Sequence, residues 1–133
     1  MSSASYVALS ASGELARRAD ELSRMLADCR ICPHECRADR IGGELGTCAT
    51  GSRAVVASWG PHHGEEPVIS ARRGSGTVFL ASCNLACVFC QNHDISTRRR
   101  TAAHRVVDDN ALASVFLELQ DAGCHNINWV SPS

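Results

Sequence analysis

A chain of 133 residues suits one small domain, and its 13 Lys plus Arg against 14 Asp plus Glu leave a formal charge of −1. That balance speaks against nucleic acid or an anionic membrane as partner, and no run of about 20 apolar residues exists to cross a bilayer. Eight cysteines are the outlying number.

Residues 1–28 are expected to form an N-terminal helix. Ser12 can cap its start, and Leu15, Ala19, Leu22 and Leu26 recur at helical spacing with Met25 beside them. Arg17, Arg18, Asp20, Glu21 and Arg24 largely take the other faces, so the stripe predicts a packing helix. The opening "MSSASYVALSASGELARR" has neither a basic leader nor a long apolar stretch. Without export, thiols stay reduced. A cytoplasmic location and metal binding are therefore expected in preference to disulfides.

Residues 29–76 form a Cys-rich region with a loop. Cys29, Cys32, Cys36 and Cys48 are spaced C-x2-C-x3-C-x11-C. Four thiols can close a structural site, and zinc and a 4Fe–4S cluster both fit. His34 could replace one thiol, but four cysteines suffice without it. Only "RAVVASW" (Arg53 to Trp59) reads as a strand, and "GPHHGEEPVIS" follows as a loop broken by Gly60, Pro61, Gly64 and Pro67. His62, His63, Glu65 and Glu66 resemble a ligand cluster, yet no spaced partner set accompanies them, and a structural or rim role is expected.

Residues 77–133 carry the clearest pattern. "TVFLAS" (Thr77 to Ser82) reads as a strand buried on both faces. "DDNALASVFLELQDAG" reads as a helix capped by Asp108 or Asp109, with Leu112, Val115, Phe116 and Leu119 as its apolar stripe and Gly123 as its left-handed stop. "NINWV" (Asn126 to Val130) is a second strand. Strand, helix and strand make one βαβ unit, whose strands should be parallel. Cys83, Cys87 and Cys90, spaced C-x3-C-x2-C, follow the first strand directly and so lie at its C-terminal end, where α/β folds carry their chemistry. The connection from Cys83 to about Arg105 is long for a βα loop, as expected when it wraps a cofactor. Three thiolates can hold three corners of a 4Fe–4S cubane and leave the fourth iron open. Phe89 can shield such a cluster from water. Arg98, Arg99 and Arg100 read as a solvated loop, and Cys124 as a buried free thiol.

The segments "CRICPHECRADRIGGELGTC", "HHGEEPVIS", "GSGTVFLASCNLACVFCQNHDIS" and "LQDAGCHNINWVSPS" stand in an order that resembles radical S-adenosylmethionine (radical SAM) enzymes, in the branch similar to pyruvate formate-lyase activating enzymes. The resemblance implies an α/β fold, the N-terminal part of a partial (βα)6 barrel, preceded by the helix and the small Cys-rich metal-binding region. It maps Cys83, Cys87 and Cys90 onto the ligands of a 4Fe–4S cluster whose open iron binds S-adenosylmethionine. Reduction then cleaves the sulfonium to methionine and a 5′-deoxyadenosyl radical. It maps the backbone at Phe89 near the adenine, with Gln91 and Asn92 adjoining. An electron donor such as flavodoxin or ferredoxin, and a protein substrate that receives a glycyl radical, are the partners it implies. With only one βαβ unit before "SPS", the chain is expected to be the N-terminal part of such an enzyme, weak in S-adenosylmethionine cleavage by itself. The alternative expectation is a truncated metal-binding remnant without chemistry of its own.

Overall fold

The computed structural model describes residues 4–96 and 104–131. At its centre is a four-stranded mixed sheet made of β1 (Ala54–His62), β2 (Ser75–Leu80), β3 (Arg105–Val107) and β4 (Ile127–Val130), in the order β3-β1-β2-β4. β1 is antiparallel to both β3 and β2, and β2 is parallel to β4, with Val78 opposite Trp129. The predicted strand–helix–strand unit is present, with α5 (Asp109–Asp121) between the parallel strands.

The local chemistry of α5 is as its residues dictate. Asp108 is the N-cap, and its carboxylate accepts from the Ala111 amide at 2.8 Å. Gly123 adopts φ +82 just beyond the C-terminus, the left-handed conformation a side chain resists. Val115 and Leu119 are buried against Val56, Val78 and Leu80, with Leu112, Phe116, Cys124 and Ile127 packed around them. Phe116 meets Trp129 edge-on at 5.4 Å, so the helix binds the βα unit together at both strands. β2 is covered on both faces, with Thr77 and Val78 both buried.

Several expectations are corrected. The N-terminal segment is two helices, α1 (Ser5–Ala11) and α2 (Glu14–Arg24), followed by a 3-10 turn at Met25–Asp28. Ser12 ends α1 and does not cap α2: its hydroxyl donates back to the Leu9 carbonyl, and Gly13, at φ 77, precedes α2. Neither helix buries a residue, and Leu15, Leu22 and Met25 are exposed, so most of the apolar stripe is left open to solvent, with Leu26 alone of its leucines facing a pocket beside Val55 and Leu80. The strand predicted at Arg53–Trp59 runs on to His62, because its antiparallel partner continues the ladder from Trp59 to His62. Part of the expected loop is a single helical turn, α3 (Pro67–Ser70), with Pro67 at its start. The long connection after β2 contains one turn of helix, α4 (His93–Ser96), and then β3. β3 is short and mostly exposed, so periodicity gave no sign of it. Arg98, Arg99 and Arg100 lie outside the described residues.

Candidate functional site

β2 ends at Leu80, and two backbone hydrogen bonds then fix how the chain leaves the sheet. Ala81 donates to the Val55 carbonyl of β1 at 2.8 Å, and Ser82, at φ 72, donates to the Ile95 carbonyl of α4 at 2.7 Å. The second bond joins the two ends of a loop that holds Cys83, Cys87 and Cys90. Within it the Cys90 amide donates to Cys87 O at 3.3 Å and the His93 amide to Cys90 O at 3.2 Å, so the last two cysteines sit on a tight turn that runs into α4.

The three cysteines line one concavity of about 400 Å³, together with Asn84, Ser96 and Ser131. Ser131 directly follows β4. The concavity therefore lies off the C-terminal ends of both parallel strands, the crevice where open α/β sheets bind ligands. Two donors point at sulfur: the Leu85 amide at 3.4 Å from Cys83 Sγ and the Ser96 hydroxyl at 3.4 Å from Cys90 Sγ. The donor set is all sulfur, which suits iron–sulfur ligation better than a hard cation. Phe89 is 86% exposed and Val88 is 100% exposed, since residues inside the tight turn project outward from the loop. Gln91 is exposed as well, and the Asn92 carbonyl accepts the Ile95 and Ser96 amides at the start of α4.

The second cysteine set comes together on two opposed turns. The Cys29 amide donates to Ala38 O and the Arg37 amide to Cys29 O, which lays residues 37 and 38 alongside Cys29. Glu35 and Arg37 take positive φ, and the Glu35 amide donates to Cys32 O, closing the first turn. The Ala49 amide donates to Gly46 O at 2.8 Å, closing the second. Cys29, Cys32, Cys36 and Cys48 then line one cavity of about 160 Å³, with Cys29 and Cys48 buried. The Cys36 thiol is held below its ordinary pKa, first by the Ala38 amide and then by the Thr47 amide. All eight cysteines are free thiols. Among the described residues no three His, Cys, Asp or Glu side chains are grouped as a metal ion would hold them.

His34, read from the sequence as a spare ligand, is instead a bridge. Its Nε2 lies 2.8 Å from the carbonyl of Asn84, fifty residues on, between Cys83 and Cys87. Asn84 lines both cavities. No spacing rule could have paired these two residues, because the contact exists only once both loops are folded. His62 and Glu65 approach 3.8 Å at the surface, and the Glu65 and Glu66 carbonyls accept the Ser70 hydroxyl, so this segment serves its own turn. Cys124 is half-buried against the core, less enclosed than expected.

Among known proteins, the chain is similar to the uncharacterized protein MJ0674 of Methanocaldococcus jannaschii, with 39% identity over 69 residues. The match takes in 52% of this chain and 19% of that protein's length. No protein-family model and no solved structure matches. Among the described residues no helix is long and apolar enough to cross a membrane.

Proposed function

We propose that the chain is an iron–sulfur protein of the radical S-adenosylmethionine type, with Cys83, Cys87 and Cys90 as the protein ligands of a 4Fe–4S cluster. The observation that supports this best is the gathering of three thiols and no other ligand type around one concavity off the ends of β2 and β4. Three protein thiolates for four irons leave one iron for a small molecule, as a catalytic zinc site keeps one position open. When bound and reduced, such a cluster supplies the electron that cleaves S-adenosylmethionine to methionine and a 5′-deoxyadenosyl radical. The chain's own part is positional. The Ser82–Ile95 hydrogen bond holds the loop ends together, and the Leu85 amide and Ser96 hydroxyl donate to the sulfurs of Cys83 and Cys90 and so help to fix their positions. Free, solvent-accessible thiols belong in a reducing compartment, so the cytoplasm is the proposed location, with a flavodoxin- or ferredoxin-like electron donor. A protein that receives a glycyl radical is the proposed substrate class.

Anaerobic reconstitution with iron and sulfide tests the ligand set. The parent chain should take up a 4Fe–4S chromophore, and the Cys83→Ala, Cys87→Ala, Cys90→Ala variant should lose it while keeping the other cysteines. Equal iron and sulfide in the two proteins would falsify the assignment. Chromatography of 5′-deoxyadenosine after dithionite reduction then separates catalysis from cluster binding alone.

A further inference from the structure

Arg40 is a charged side chain in the wrong place for an ordinary protein surface. It is only 6% exposed. Its Nε and Nη2 donate to the Gly51 carbonyl at 2.9 and 2.7 Å, and its Nη1 reaches Cys29 Sγ at 3.7 Å. Among the described residues no carboxylate pairs with it. A guanidinium cannot shed its proton, and burying one without an anion is costly. Four neutral thiols beside it would leave that cost uncompensated. Four thiolates around a divalent ion carry a net charge of −2 and would offset it.

The lining of the cavity says what kind of group it suits: four thiols, with no carboxylate or imidazole among the lining residues. A tetrahedral ion with Zn–S bonds near 2.3 Å holds its sulfurs about 3.8 Å apart. A Cβ built on Gly46 would lie 3.4 Å from both Cys36 Sγ and Cys48 Sγ, so those two sulfurs flank the same position. A cubane would spread the thiolates over four separate irons, whereas one tetrahedral ion takes all four thiolates itself.

We propose that Cys29, Cys32, Cys36 and Cys48 bind one divalent ion of the zinc type, and that Arg40 is the buried cation balancing its thiolate shell. This inference is independent of the radical chemistry: it would stand if Cys83, Cys87 and Cys90 held nothing.

Zinc itself is the probe, with the full chain. The Cys83, Cys87, Cys90 triple Ala variant should retain one zinc per chain, and its cobalt form should give the strong sulfur-to-metal charge-transfer and visible bands of tetrahedral four-thiolate ligation. Arg40→Gln should weaken zinc against a competing chelator by about 10- to 100-fold, the usual range for an outer-sphere partner, and Arg40→Lys should recover most of that loss. If the triple variant binds no zinc, or takes up a 4Fe–4S chromophore that zinc does not displace, the single-ion assignment is wrong. If Lys is as weak as Gln at position 40, the charge-balancing role is wrong. The cobalt spectrum of the parent decides ligand number even where a position-40 variant fails to fold.

Discussion

A histidine fifty residues from its partner joins the two cysteine loops. His34 Nε2 donates to the Asn84 carbonyl, and next to it the Leu85 amide donates to Cys83 Sγ. His34→Ala should release the start of the thiol loop by about 0.5–1.5 kcal/mol, the net worth of a typical hydrogen bond. Hydrogen exchange would read this as faster exchange of the Leu85 amide, with α5 amides unchanged. Unaltered exchange at Leu85 would show that the contact carries no load. Asp108 offers a second single-residue test. Asp108→Ala removes the acceptor for the Ala111 amide and should cost about 1 kcal/mol in urea unfolding, while Asp108→Ser or Asp108→Asn should recover most of it. These side chains differ in what the sequence reveals. Asp108 acts within three residues, so its cap is legible from local spacing. His34 acts through tertiary contact, so it is not.

At the scale of elements, the βαβ unit and the N-terminal helices behave oppositely. Leu119 is 2% exposed, between α5 and the sheet. Leu119→Ala should destabilise by about 2–5 kcal/mol, the range for emptying a packed core position. Chemical denaturation would show a lower midpoint, and a change under 1 kcal/mol would mean that α5 does not hold the sheet as described. α2 is held from outside. Arg17 bonds Glu14 and Glu21, and Arg18 bonds Glu14. The bonds from Arg17 and then Arg18 hold the Glu14 carboxyl at about 2, below its usual 4.5. Because the folded value is the lower one, the support to α2 is complete above about 4.5 and disappears as pH falls through about 2. Far-UV circular dichroism should lose helix signal across that window, less so at high salt, where solvent-accessible ion pairs are already screened. The apolar periodicity of α2 is real, but periodicity records what a helix could bury and not what lies opposite it.

The whole molecule is an edge-limited sheet. β4 pairs with β2 on one side, and among the described residues nothing pairs with its outer side. An unpaired strand edge recruits further strands, so residues 1–133 should self-associate as concentration rises. Sedimentation velocity would show species heavier than the 14.2 kDa chain. Strictly monomeric behaviour at every concentration would mean that the edge is protected. The same edge lies beside the concavity, of which Ser131 is a lining residue. Under the proposed function, cleavage of S-adenosylmethionine by residues 1–133 is accordingly expected to be slow, since loose positioning of reactants by about 1 Å can cost on the order of a hundredfold in rate.

By itself the sequence determined whatever depends on neighbours along the chain. The buried run of β2 and the cap, stripe and stop of α5 are local, set by backbone sterics and side-chain periodicity within a few residues, and the two cysteine spacings can be read directly along the chain. Tertiary structure alone decided the rest. The antiparallel ladder that carries β1 on to His62 exists because β2 supplies partners for its amides and carbonyls. β3 is a strand because Val56 and its neighbours complete its hydrogen bonds, not because its three residues demand it. The outward turn of Phe89 follows from the tight Cys87–Cys90 turn. The burial of Arg40 against Cys29, eleven residues away, follows from the folding of two loops onto each other. Hydrogen bonds and buried charge are satisfied in three dimensions, so a pattern along one dimension can name the candidates but not their partners.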